Sequence, residues 1–396
     1  MHILTAITTY PPSTGGAQLH QHLLLQQLQH RHNVQVVSQW DRNRTDWLLG
    51  TTLRAPEQSC NYAIDGINVH RLGLSKWEKA SLTPYVPIYY PLMRHALPPI
   101  AACLERHLYP YAARADLIHN VRIGREGLSY AAFQVARHRN IPFVLTPVHH
   151  PRWVGWRYWA YNELYTLADA VFALTNSEKQ TLIQLGVKEE RITVIGHGPV
   201  LANEVDADSF RQKHHIDGPM VLFLGQHYEY KGYRQLLEAA PLIWRKIPEA
   251  HLVFIGPPVE NSEVIFRTAA DPRIHRLGNV DLQTKTDALA ATTLLCVPST
   301  QESFGGVYCE AWSFAKPVIG CNIPTVAEVI SDGIDGYIVE QKGGEIADRI
   351  CQLLLDTGTA RHMGAAGKQK VEERYTWPRI AARAEDGYRR VLASGR

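Results

Sequence analysis

Short apolar, β-branched runs alternate with helix-length segments along almost the whole chain. In the first half the runs are HILTAI (2–7), NVQVVSQ (33–39), INVHRLG (67–73), ADLIH (115–119), PFVLTP (142–147), ADAVFALT (168–175) and RITVIG (191–196). Most are continuous rather than alternating, the pattern of strands buried on both faces of a parallel sheet. Between them, 16–31, 124–138 and 177–185 read as helices. The second half repeats the grammar with VLFLG (221–225), HLVFIG (251–256), RIHRLG (273–278), LLCVPS (294–299), PVIGCN (317–322) and GYIVE (336–340). Strand–helix alternation of this kind predicts an α/β fold of two doubly wound, Rossmann-like domains. The polar stretch 197–218, bounded by Gly-Pro pairs, reads as the linker between them. Ligands of such sheets lie beyond the carboxyl ends of the strands, so both domains are expected to aim strand-end loops into a central cleft. One segment, KWEKASLTPYVPIYYPLMRHALPP (76–99), fits neither period.

Composition narrows the class. At 396 residues the chain exceeds the size of one hydrophobic core. With 45% apolar and 20% charged residues it has the profile of a soluble globular protein. The net charge of +3, from 41 basic and 38 acidic side chains, argues against a nucleic-acid partner, which selects a dense basic patch. No run of eighteen apolar residues is present and the N-terminus lacks a cationic leader, so neither a membrane span nor a signal peptide is expected. Cys60, Cys103, Cys296, Cys309, Cys321 and Cys351 are scattered without a CxxC pair, the pattern of reduced, buried thiols in a cytoplasmic protein. His149-His150 and His214-His215 lack the spacing of a zinc site. No metal and no cofactor are expected.

Four stretches could carry chemistry. In TQESFGGVYCE (300–310) a predicted strand end leads into a helix opening near Gly305-Gly306, where free amides and the helix dipole favour an anion. Glu302 and Glu310 flank those glycines, and carboxylates accept hydrogen bonds from sugar or ribose hydroxyls. An ordinary capped helix with a solvated Glu310 is the competing reading. In FLGQHYEYKGYRQ (223–235), Lys231 lies between a strand end and a helix start, placed to neutralise a leaving diphosphate. Gly15-Gly16 open the first helix, offering amides to a phosphate or to an acceptor. His149 and His150 end the strand PFVLTP, and only one of two neighbours on a strand can face the ligand. A histidine there could bind a sugar hydroxyl or share in proton handling. Asp206-Ala207-Asp208 has the DxD spacing of a divalent-ion site but lies in the linker. The cluster RWVGWRYWAYNELY (152–165) makes Trp153, Trp156 and Trp159 candidates for peripheral membrane contact, for walling an acceptor pocket or for packing between domains.

Taken together, these stretches resemble glycosyltransferase family 4, whose members have the GT-B fold and are retaining and nucleotide-sugar-dependent. Glu302 to Glu310 resembles the family's E-x7-E signature, and Gly225 with Lys231-Gly232 its G-R-x4-K-G element. The Gly15-Gly16 loop, TPVHHP and ADAVFALTNSEKQTLIQLGVKEERITVIGHG (168–198) match in order and spacing. YTWPRIAARAEDGYRRVL (375–392) is similar to the helix that returns to the N-terminal domain. The resemblance implies an acceptor domain at 1–200, completed by 377–396, and a donor domain at 201–376. It implies that Lys231 binds the donor diphosphate and Glu310 the ribose. Glu302 is expected near the donor sugar, with the backbone of Ser303, Phe304, Gly305, Gly306 and Val307 on its hydroxyls and phosphate. Gly16 is expected near the phosphates, His149 or His150 near the sugar, and Asn279 and Val280 at the base. The chain departs from the pattern at Gln226, where the family has arginine; Arg234 is the nearby candidate to restore that charge. The expected reaction is metal-independent transfer of a sugar to an acceptor hydroxyl in glycan or glycoconjugate biosynthesis, the acceptor being a polysaccharide, a lipid-linked sugar or a small molecule. A nucleotide-sugar epimerase and a binding protein without turnover are the alternatives. A cytoplasmic location, with the inner membrane face as a candidate docking surface, completes the expectation.

Overall fold

The structure is a computed structural model that describes residues 1–12, 15–40, 47–122, 127–149, 153, 155–259 and 261–394. It divides into two units, Met1–Gly196 with Trp377–Arg396, and His197–Thr376.

In the first unit eight strands form one sheet in the order β3-β4-β2-β1-β5-β6-β7-β8. They are β1 (His2–Ile7), β2 (Asn33–Ser38), β3 (Cys60–Ile64), β4 (Ile67–Arg71), β5 (Leu117–Val121), β6 (Phe143–Thr146), β7 (Ala170–Ala173) and β8 (Ile192–Val194). All pairings are parallel except β3 with β4. That hairpin turns on Asp65-Gly66, both at positive φ (49° and 81°), the backbone of a type I′ turn. The continuous apolar runs are buried on both faces: Leu117, Ile118, Phe143, Val144 and Leu145 are each 0% exposed. The helix Trp377–Ala393 closes this unit by packing on the helix Gly16–Leu28 and on β7 and β8. Its Tyr388 hydroxyl lies 2.7 Å from His119 Nδ1 in β5, and Arg383 Nε donates to the Ile195 carbonyl at 2.8 Å.

In the second unit six parallel strands run β11-β10-β9-β12-β13-β14. They are β9 (Met220–Leu224), β10 (His251–Ile255), β11 (Ile274–Gly278), β12 (Leu294–Val297), β13 (Val318–Cys321) and β14 (Gly336–Val339). The strand order reverses direction between β9 and β12 here, and between β1 and β5 in the first unit. Those are the topological switch points, where an open sheet leaves a crevice for ligands.

Three expectations need correction. The stretch 197–218 is not a bare linker: it carries the helix Ala207–Lys213, and Ala202 and Asp206 donate backbone N–H groups to Thr286 and Asp287 at 2.9 and 2.7 Å. The DxD spacing belongs to that helix, with Asp206 as its N-cap, accepting from Ser209 N at 2.9 Å, and Asp208 exposed in the first turn. Finally, the segment 76–99 is helical, comprising Lys76–Leu82, Tyr85–Ile88 and the start of Met93–Leu108. Prolines 98 and 99 sit inside the last of these, held by a buried face of Ala96, Leu97, Ile100, Cys103, Leu104 and Leu108.

Candidate functional site

At the second unit's switch point, the loops after β9 and β12 are tied to each other. Gln341 Nε2 donates to Tyr230 O at 3.0 Å and to Pro298 O at 2.8 Å, and Thr300 N donates to Tyr230 O at 2.8 Å. Gly232 (φ 81°) lies so close to the other loop that a Cβ would stand 2.7 Å from the Pro298 carbonyl. This arrangement brings Lys231 to Glu302, the ammonium donating to Oε1 at 2.6 Å with both side chains mostly buried. The pair is held at the mouth of the helix Gly306–Ser313. Gly305, at φ 87°, is the N-cap of that helix and supplies no side chain to its first amides. Free amides at a helix start are a general feature that favours an anion. Ser303, Gly306 and Val307 are half-buried. The Phe304 ring is 3% exposed and packs between His197 (5.6 Å) and Tyr375 (5.3 Å), so Phe304 offers a ligand its backbone only.

One turn into the same helix lies Glu310, 5% exposed. Its Oε1 accepts from Lys285 Nζ at 2.8 Å and from Val200 N at 3.3 Å, and Lys285 also donates to Val200 O at 2.6 Å. Its Oε2 is buried with no partner among the described residues. Burial pushes this carboxyl up, against the pull of Lys285. A buried carboxylate oxygen without a donor is costly. Lys285 was not among the sequence-predicted residues; a lone lysine on a helix carries no signal of its own. That helix, Leu282–Ala291, follows exposed Asn279 and half-buried Val280 at the end of β11, so the loop expected at the base leads into the element that holds Glu310.

At the departure from the family pattern, Gln226 is half-buried after Gly225. Arg234 does not restore the missing charge to Lys231, because it is half-exposed and faces Glu229 and Glu238 at 3.8 and 3.5 Å. Next to Gln226, His227 is 1% exposed among the rings of Phe223, Tyr233 and Phe266, with both ring nitrogens unpartnered among the described residues. Burial holds its pKa down to about 4, so it is neutral and adds no charge either.

In the first unit, Gly16 opens its helix with no side-chain cap, and a Cβ there would meet nothing within 4 Å. His149 follows β6 and is 5% exposed; its backbone N donates to Glu178 at 2.6 Å and its Nδ1 lies 3.4 Å from the Tyr165 hydroxyl. His150 lies outside the described residues. Burial pushes Glu178 up to about 7, against hydrogen bonds from the backbone N–H groups of Leu174 and His149. Directly after β5 comes Arg122, 1% exposed, which donates to the same Tyr165 hydroxyl through Nη1. Its guanidinium stacks at 4.2 Å on Trp153 and 4.5 Å on Tyr161. Trp159 is likewise engaged, under Arg94 at 4.6 Å. Of the three tryptophans considered for a membrane, Trp156 is 59% exposed and Trp153 and Trp159 are half-buried. Among the described residues no helix is long and apolar enough to cross a membrane.

Comparison with known proteins places this architecture. Residues 15–198 match the family described as a glycosyl transferase 4-like domain, and residues 218–356 the family described as glycosyl transferases group 1. Phosphatidyl-myo-inositol mannosyltransferase of Mycobacterium tuberculosis is 31% identical over 209 residues, 49% of this chain and 54% of that protein. Alpha-maltose-1-phosphate synthase of the same organism is 28% identical over 191 residues, 44% of this chain and 49% of that protein. The chain thus spans about half the length of the curated relatives it matches. Anabaena HepE, solved in complex with UDP and glucose, superposes with a TM-score of 0.73 at 18% identity over 100% of both chains, a likeness of fold. With two parallel-sheet α/β units and a family match in each, the chain belongs to the GT4-type glycosyltransferases and has the GT-B fold.

Proposed function

We propose that this chain transfers a sugar, with retention of configuration and without a divalent cation, from a nucleoside-diphosphate sugar to an acceptor hydroxyl. The observation that carries the reading is Glu310, a buried carboxylate with one oxygen unpartnered among the described residues, one turn inside a helix with an uncapped start that follows Glu302, the partner of Lys231. Hydroxyls of a ribose suit the first feature and a diphosphate the second. As the glycosidic bond breaks, charge develops on the diphosphate. Lys231 and the amides at Gly306 and Val307 would meet it without a metal, the role that preorganised donors play in a closed site. The ion pair with Glu302 holds Lys231 in place meanwhile, and Glu302 itself would stand near the donor sugar. A role for His149 on a sugar hydroxyl rests on the family resemblance alone. The retaining outcome rests on family membership. HepE was solved with UDP and glucose, which supports a nucleotide-sugar donor. The names of two relatives carry a phosphate, one on phosphatidyl-myo-inositol and one on maltose 1-phosphate, and we extend that to a phosphate-bearing acceptor here.

The test is a thermal-shift and slow-hydrolysis screen against UDP-, GDP-, ADP- and dTDP-sugars in the presence of EDTA. One nucleotide sugar that stabilises the protein and slowly releases its diphosphate supports the reading. Silence across the panel at millimolar concentration contradicts it, and an epimerised donor in the absence of any acceptor shows an isomerase instead. Proton NMR of the anomeric linkage in the transfer product decides retention.

A further inference from the structure

We propose that Arg122 is the anion-binding residue of the acceptor site, pairing side-on through Nε and Nη2 with a phosphate or carboxylate of the acceptor. The inference rests on the glycosyltransferase reading above and adds to it the residue that selects the acceptor class.

Arg122 stands at the carboxyl end of β5, at the switch point of the first unit's sheet, where an open α/β sheet receives its ligand. Both faces of a guanidinium can be covered by rings while its in-plane N–H groups stay available. Here Trp153 and Tyr161 stack on it at 4.2 and 4.5 Å, Tyr165 lies at 5.5 Å, and Nη1 donates to the Tyr165 hydroxyl. The two groups left over, Nε and Nη2, are buried and find no acceptor among the described residues. They share one edge of the guanidinium, and that edge is the two-donor fork that matches a carboxylate or phosphate.

Two orphaned donors on one buried cation carry a larger cost than a single orphaned nitrogen. The nearby buried carboxylate, Glu178, commits its oxygens to the backbone N–H groups of His149 and Leu174 and forms no ion pair with Arg122. Aromatic rings offset part of the cost of burying a cation, but they do nothing for two orphaned donors. An incoming anion would satisfy both the charge and the fork. It would also be fixed beside His149, whose Nδ1 approaches the same Tyr165 hydroxyl at 3.4 Å. Both donors are closed to solvent, so an anion that pairs with them leaves its water behind. That favours an acceptor carrying a strongly paired anion over a neutral sugar.

The experiment uses the full chain with its nucleotide site saturated by a nucleoside diphosphate, and inorganic phosphate as the probe. Tryptophan emission is the readout, since Trp153 lies on the guanidinium. Saturable phosphate binding is expected in the wild type, about tenfold weaker in R122K and lost in R122M, with melting curves confirming that the variants fold. Transfer is then compared between glucose 1-phosphate, vesicles containing phosphatidylinositol, and neutral glucose and myo-inositol. Preference for one of the two phosphorylated acceptors supports the proposal and names the source of the phosphate. R122M should raise KM for that acceptor more than it lowers kcat. No saturable phosphate binding in the wild type, equal binding in R122M, or equal use of the neutral sugars would overturn it. Absence of nucleotide binding in the wild type would instead count against the transferase reading, and the two failures are thereby distinct.

Discussion

Replacing Lys285 by methionine keeps the length of the side chain and removes the ammonium that faces Glu310. The Lys285 side chain is 18% exposed and that of Glu310 7%, so solvent does little to replace the pairing. In the variant Glu310 keeps one donor among the described residues, Val200 N at 3.3 Å. An uncompensated buried carboxylate costs several kcal/mol, and the cheaper course is to take up a proton. At pH 7 that costs a carboxyl titrating near its ordinary value about 3.7 kcal/mol, and the cost falls by about 1.4 kcal/mol per pH unit on acidification. Glu310 is already pushed up by burial, so its own cost is smaller. The expected loss of stability is about 2–3 kcal/mol at pH 7 and under about 1 kcal/mol at pH 5. A protonated Glu310 also accepts weaker hydrogen bonds from a ribose, which weakens nucleoside-diphosphate binding by about tenfold at pH 7. Urea unfolding at the two pH values, on wild type, K285M and K285M/E310Q, reads the first effect; calorimetric titration with the nucleotide reads the second. The double variant should recover at least half of the stability lost. A K285M protein as stable as wild type at pH 7, or equally destabilised at both pH values, would refute the account of Glu310.

Other outcomes follow from the same reasoning. H227L should raise stability by about 1 kcal/mol in urea at pH 7.5, because leucine fills the aromatic niche without burying two unpartnered nitrogens; a loss of stability would mean that those nitrogens have partners in solution. D206A should cost about 1 kcal/mol through the lost N-cap and leave nucleotide binding insensitive to EDTA, as in wild type; a variant that alone loses metal-dependent binding would restore the DxD reading. Stability should fall as pH drops from 6.5 to about 4. Burial holds His20, His227 and His275 near 4 and His119 near 3, so the unfolded chain takes up protons that the folded chain refuses, at up to about 1.4 kcal/mol per pH unit for each of the fully buried His20 and His119 and less for His227 and His275, which solvent screens in part. Glu178, held near 7, and Glu310 act in the opposite sense, being protonated more readily in the folded state, but are outnumbered in each unit. Denaturation midpoints that stay flat between pH 6.5 and 4.5 would contradict these shifts.

Much of the fold was legible because parallel strands buried on both faces must be continuous apolar runs, and the site stretches were legible because glycines mark where backbone approaches a ligand. What escaped has physical reasons. β3 (CNYAI) is an edge strand with alternating half-buried and exposed positions, so its apolar signal is weak, although the Asp65-Gly66 turn that creates it is plain in the chain. The helix Met93–Leu108 contradicts local propensity with two interior prolines, and tertiary burial overrides them. β5 occupies 117–121 rather than 115–119, and that shift of two residues concealed Arg122 as a strand-end residue. Lys285 could not have been found from the sequence, because its role depends on a carboxylate 25 residues away.

The central claim is that the second unit's switch point binds a nucleoside diphosphate, with Lys231 on the phosphates and Glu310 on the ribose. The most direct measurement titrates wild type, K231A and E310Q with the preferred nucleoside diphosphate and with its nucleoside. K231A is expected to weaken the diphosphate by about 10- to 100-fold and leave the nucleoside unchanged, on the scale of one charged hydrogen bond, while E310Q weakens both alike. Equal affinities in K231A and wild type for the diphosphate would contradict the claim.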